Sequence, residues 1–120
     1  MNAAEYDLII DRAADYRFTL TVLNQSGVAV NLTGTTVYAQ VRTAADKKLS
    51  ATFAADLTNA VTGVLVLSLT EDDTLALNAA AAYEWDLFIV RTGSITERLL
   101  YGSVTVRQNV YKGSPIDPNP

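Results

Sequence analysis

The chain has 120 residues, enough for one domain with its own core but not for two. It contains no cysteine and no histidine, which removes disulfides, thiolate chemistry, zinc sites built on those residues, and the side chain most used for acid–base catalysis near neutral pH. The formal net charge is −4 and the nine basic residues are scattered, only Lys47 and Lys48 being adjacent, so neither nucleic-acid binding nor docking on an anionic membrane is expected.

No apolar run approaches the ~20 residues needed to span a bilayer. The opening Met-Asn-Ala-Ala-Glu-Tyr-Asp lacks the basic-then-apolar pattern of a secretory leader, so a soluble chain is expected. In chain order, period-two alternation predicts a strand over 5–11 with Tyr6, Leu8 and Ile10 on one face. A cleaner strand follows over 15–23, with Tyr16, Phe18, Leu20 and Val22 inward and Arg17, Thr19 and Thr21 outward. Asn24-Gln25-Ser26-Gly27 is a turn, after which Val28, Val30 and Leu32 are expected to return as the second arm of a hairpin. Thr36 to Thr43 carries Val37, Ala39 and Val41 on one face and Tyr38, Gln40 and Arg42 on the other.

Residues 44–48 read as an exposed loop, and Leu49, Ala51 and Phe53 resume alternation. Val64 to Leu69 is nearly continuous in apolar residues, which predicts a strand buried on both faces. Residues 70–78 form the one helical candidate, with Thr70 as N-cap, Asp73 three residues on, and Glu71, Asp72 and Asp73 facing the positive end of the helix dipole. Residues 83–92 form the expected central strand, with Tyr83, Trp85, Leu87 and Ile89 on one face. Thr92-Gly93-Ser94 turns the chain into a long return strand over 95–108, where Leu100, Gly102, Val104 and Val106 share a face. Gly102 in mid-strand indicates a bulge or the close approach of another backbone.

These elements predict an all-β fold, an immunoglobulin-like antiparallel β-sandwich with about seven strands and one short helix, with an open barrel as second choice. The sandwich is assigned to residues 1–110. Residues 111–120 hold all three prolines and are expected to form an extended tail. Trp85, Phe18, Leu20 and Leu87 are the expected core anchors.

Candidate chemistry is sparse. Glu71-Asp72-Asp73 lacks the alternating acids and glycine turn of a calcium loop, and helix-start acids explain it more simply. Asp7, Asp11 and Asp15 offer a carboxylate pair of glycosidase type, against which stands a solvated strand face with no cleft-building insertion. Trp85, Tyr83, Phe88 and Tyr101 offer an aromatic sugar platform of a carbohydrate-binding module, against which stands Trp85 as core filler. No catalytic, cofactor or metal residue is assigned, and the chain is expected not to be an enzyme.

Several motifs nevertheless recur in a recognisable order. They are Tyr6-Asp7-Leu8, then Asp15 to Thr21, then Gly27 with Val30-Asn31-Leu32-Thr33-Gly34-Thr35-Thr36, then Gln40-Val41-Arg42. Downstream come Gly63-Val64-Leu65, Leu69-Thr70-x-x-Asp73-Thr74, Tyr83-x-Trp85-Asp86-Leu87, and Leu99-Leu100-x-Gly102-x-Val104-Thr105-Val106. The ordered set, over residues 6 to 107, resembles small phage virion proteins, in particular the N-terminal domain of phage baseplate upper proteins and related tail-module proteins. Ala13-Ala14 stands where a glycine or small residue is usual in the first bend. The usual extension toward a receptor-binding module has no counterpart before Pro120, which keeps a stand-alone accessory role open.

The resemblance implies a virion structural protein made in the host bacterial cytoplasm, without catalysis or cofactor. It would act as an oligomeric adaptor in the tail or baseplate, a homo-oligomer with a trimer as the expected state, docking on other virion proteins. A capsid decoration protein is the alternative within that class, and a carbohydrate-binding module the alternative outside it. Asn2, Tyr6, Tyr111, Pro115, Ile116 and Pro118, near the two termini, are the expected interface residues.

Overall fold

A computed structural model describes residues 3–91, 93 and 95–109. Its strands are β1 (Ala4–Glu5), β2 (Leu8–Asp11), β3 (Tyr16–Thr21), β4 (Thr36–Thr43), β5 (Leu49–Thr52), β6 (Ala54–Asp56), β7 (Val64–Leu69), β8 (Tyr83–Arg91) and β9 (Ile95–Arg107). A 3-10 turn spans Ala60–Thr62, and one short helix, α1, spans Glu71–Leu75. The strands form two sheets. The larger runs β1-β9-β8-β4-β5, with β2 also on β9; the smaller runs β3-β7-β6. This is the all-β, immunoglobulin-like sandwich expected from the alternation.

The strand number differs from about seven because two segments are broken where the chain changes direction. The expected strand over 5–11 is split at Tyr6-Asp7. Its halves lie along β9 in parallel, Ala4 opposite Leu100 and Leu8 opposite Val104. One edge of the larger sheet is therefore parallel, not antiparallel. The second break is at Phe53, where the chain leaves the larger sheet after β5 and enters the smaller one at β6. Phe53 is buried at that crossing.

Two further expectations change. The return arm at 28–32 is only an isolated bridge between Leu23 and Ala29. The Asn24 side chain accepts hydrogen bonds from Ser26 N–H and Val28 N–H, closing a tight turn. The chain then crosses the end of the sandwich, Leu32 N–H bonding to Ala60 O while the Leu32 side chain plugs the core. Strand β7 is not buried on both faces. Leu65, Leu67 and Leu69 are buried, while Val64, Val66 and Ser68 are half-exposed, because none of the described residues closes over the outer face of the smaller sheet. An unbroken apolar run concealed an ordinary alternation.

Between the sheets lies an aliphatic core that includes Leu8, Ile10, Val41, Leu65, Leu67, Leu87 and Ile89. Helix α1 closes one end of it. Thr70 accepts from Asp73 N–H, and the Asp73 carboxylate accepts from Thr70 N–H, a reciprocal cap that lets a five-residue helix persist. Behind it, the buried Thr74 hydroxyl accepts from Ala14 N–H at 3.1 Å and lies 2.8 Å from Ala14 O. This pins the first bend, where Ala13 takes a positive φ of 67°, a region that glycine adopts more readily than alanine.

One tie is invisible in the residue pattern. Tyr83, buried at the start of β8, accepts a hydrogen bond at its hydroxyl oxygen from Asn78 N–H at 2.8 Å. Immunoglobulin-type sandwiches use such a corner tyrosine, with a cysteine of the inter-sheet disulfide two residues later. Here that position is Trp85. Its ring meets Phe18 of β3 edge-on at 6.1 Å, so an aromatic pair joins the sheets where a disulfide would. Tyr83→Phe is expected to lower stability by about 1–2 kcal/mol, since Asn78 N–H loses its partner. Urea denaturation checks this; an unchanged midpoint would show that the corner bond contributes nothing.

Candidate functional site

Four of the acids singled out from the sequence, Asp7, Asp11, Asp15 and Asp73, are engaged in building the fold. Asp7 accepts from Ser103 N–H at 2.9 Å, fixing the kink between β1 and β2. Asp11 and Arg107 form a two-point ion pair between β2 and β9, at 2.6 and 3.0 Å. Asp15 accepts from Glu71 N–H at 2.7 Å, tying the first bend to α1. Asp73 is half of the helix cap. Among the described residues, no group of three or more acids is gathered as a metal site.

Hydrogen bonding to the Arg107 guanidinium, reinforced by its charge, holds the Asp11 carboxyl below the usual carboxylate range. The folded chain therefore binds this proton less readily than the unfolded one. The pair's contribution is present above about pH 4 and fades as pH falls through the lowered value. Both partners are largely exposed, so the effect is small. Asp11→Asn should lower the urea midpoint slightly at pH 7 and leave it equal to the parent's near pH 2; a gap that persists at low pH would assign the effect to packing.

The aromatic residues divide between two faces. Trp85 is 3% exposed and Tyr83 is also buried, both facing the core. Leu87 is fully buried, while Phe18 and Leu20 are half-buried, packed against the core from β3 at the edge of the smaller sheet. Phe88 and Tyr101 face outward. The four-ring platform does not exist as one surface, because alternation sends its members to opposite sides of the larger sheet. Tyr6 is half-exposed and stacks edge-on against Phe18 at 5.0 Å. Asn2, Tyr111, Pro115, Ile116 and Pro118 lie outside the described residues, as does the whole of the expected tail.

What the outer face of β4, β8 and β9 does present is a shallow polar and aromatic trough. One depression of about 430 Å³ is lined by Gln40, Arg42, Glu84, Asp86, Arg98 and Tyr101, among others. It adjoins a second of about 340 Å³ lined by Tyr38, Gln40, Asp86, Phe88, Val90 and Thr96. Tyr38 sits opposite Phe88 in the ladder. The Arg42 guanidinium donates to Gln40 Oε1 and to Lys47 O, and Lys47 pairs with Glu84. These bonds hold the polar groups in place.

The trough owes its shape to a bulge. Leu87 pairs with Leu100, but Phe88 pairs with Arg98, leaving Leu99 as the extra residue of β9. Strict alternation would send Arg98 and Tyr101 to opposite faces. The bulge puts both outside, with the guanidinium carbon 4.5 Å from the Tyr101 ring centre, 5.9 Å from that of Phe88, and a guanidinium nitrogen 3.8 Å from Asp86. Sequence reading named Phe88 and Tyr101 but missed Tyr38 and Arg98. The available signal was aromatic residues on the polar phase of apolar strands.

Gly102 sits on the other face of the same strand, where the kink comes closest. A Cβ there would stand 2.3 Å from Tyr6 O. The Trp85 indole N–H donates to that same carbonyl at 2.8 Å. The close backbone approach was one of the two readings of this glycine; the bulge was the other, and it falls at Leu99.

Topology, corner tyrosine and open face define an immunoglobulin-like β-sandwich protein. The sequence profile of the LtfC-like β-sandwich domain family matches residues 2–107, and the chain belongs to that family. No curated protein matches it. Among solved structures, it is similar to a chain in the crystal structure of ICOS in complex with ICOS-L and an anti ICOS-L VNAR domain, at 12% identity and a TM-score of 0.46. That match covers 89% of this chain and 56% of the other. It is also similar to CopC from Methylosinus trichosporium OB3b, at 15% identity and a TM-score of 0.47, covering 87% of this chain and 90% of that one.

Proposed function

We propose that the chain is a non-enzymatic structural protein of a phage particle, acting as an oligomeric adaptor in the tail or baseplate. The observation that carries this reading is membership of the LtfC-like β-sandwich family, a phage-related one, over nearly the whole chain. The structure supports it through what the side chains do. Each acid weighed for catalysis in the N-terminal stretch holds backbone or a guanidinium in place, and the chain has no histidine or cysteine to take over that work. What remains is surface: the trough, the exposed edge of β3, and the two terminal segments, which reach neighbouring virion proteins.

The test is complementation of a phage lacking this gene. Particles made with the full chain should retain it through purification. A chain ending at residue 112 should melt like the full one yet be incorporated poorly. Equal incorporation would remove the C-terminal segment from the docking contacts, and loss of the full chain from purified particles would overturn the reading.

A further inference from the structure

We infer that the outer face of β4, β8 and β9 is a self-pairing surface, whose occupant is the same face of a second copy of this chain. The inference rests on the reading of the chain as a self-associating structural protein, and it names the contact.

Three observations carry it. The first is composition. Tyr38 is 58% exposed, and it lies beside Phe88, Arg98 and Tyr101 on one continuous face. Tyrosine, phenylalanine and arginine are the residues enriched in buried protein interfaces, and the outer face of a solitary sandwich has no use for them. The bulge at Leu99 is what brings Arg98 onto that face, so the grouping is built into the backbone.

The second is charge. Arg42 and Arg98 stand among Glu5, Glu84 and Asp86 in the first depression, so charges of both signs line it although the chain as a whole carries −4. A two-fold axis sets the patch against itself, which offers each guanidinium a carboxylate across the contact.

The third is size. Strands about 4.8 Å apart, rising about 3.3 Å per residue, give these three strands a footprint on the order of 14 by 30 Å. That is about half of the roughly 800 Å² per partner of a standard stable interface, the size of a weak, reversible contact between copies. A saccharide fits less well. Sugars stack on open ring faces, and the Arg98 guanidinium already lies over Tyr101 and near Phe88.

The measurement is sedimentation of the full chain from about 1 to 100 µM, a range that brackets a micromolar dissociation constant. A two-fold dimer is expected, in place of the trimer expected from the sequence. Tyr38→Glu and Tyr38→Ala should each weaken it by about tenfold or more without moving the melting temperature. Thr19→Glu, exposed on β3 of the other sheet, should leave it unchanged. A monomer throughout, a trimer, or a dimer indifferent to both Tyr38 variants would overturn the inference. So would a monomer that binds a glycan array through Tyr38. Particle incorporation is scored separately, so failure here and failure of the parent reading are distinguishable.

Discussion

Gly102→Ala should lower the unfolding free energy by about 3–5 kcal/mol. The added methyl has nowhere to go, since the nearest atoms are the Tyr6 carbonyl oxygen at 2.3 Å and its carbon at 2.7 Å, backbone that cannot rotate aside. Relief requires the kink between β1 and β2 to move off β9. That movement breaks the bond from the Trp85 indole and strands a buried N–H donor. Overpacking a tight site costs about 1–3 kcal/mol, and an orphaned buried donor about 1–3 more. A chain of this length has a total stability of roughly 6–18 kcal/mol, so the melting temperature should drop by about 10 °C or more. A drop of less than about 2 °C would mean that the N-terminal strand is not held where the structure puts it.

Trp85→Ala should be comparably damaging, by about 3–5 kcal/mol. Its ring is the hub of the aromatic cluster, with Phe18 at 6.1 Å and Phe53 at 5.9 Å, both edge-on. Phe18 belongs to the smaller sheet, and Phe53 sits where the chain crosses between sheets, so a cavity here weakens the joint between the two layers. Trp85→Phe keeps most of the packing and loses only the bond to Tyr6 O, so it should fall between the parent and the alanine variant. Near-parental stability of Trp85→Ala would contradict the assignment of this ring as the inter-sheet tie.

The strand pattern was legible wherever one face is wet and the other dry. β8 alternates without exception from Tyr83 to Ile89, and β4 ends at the residues the alternation set. The helix cap was legible because Thr70 and Asp73 act on each other across three residues. Long-range features were not. That Ala4 lies opposite Leu100 in parallel depends on a contact 96 residues away, and alternation reports which face is dry, never which strand is the neighbour. The bulge was invisible because Leu99 and Leu100 are both leucine and either can face the core. The outer face was half legible. Phe88 and Tyr101 were noticed for their rings, but they were joined to Trp85 and Tyr83, which alternation should have placed on the opposite side. Arg98 could be placed beside Tyr101 only once the bulge was known.

The functional account stands or falls on whether this sandwich occupies fixed positions in a particle. A single-particle reconstruction of the phage that encodes it is the direct measurement. The account calls for two-sheet density of this fold, repeated by the particle's symmetry in the tail or baseplate and touching neighbouring proteins. Particles of full composition with no such density, and the chain recovered free in the lysate, would contradict it.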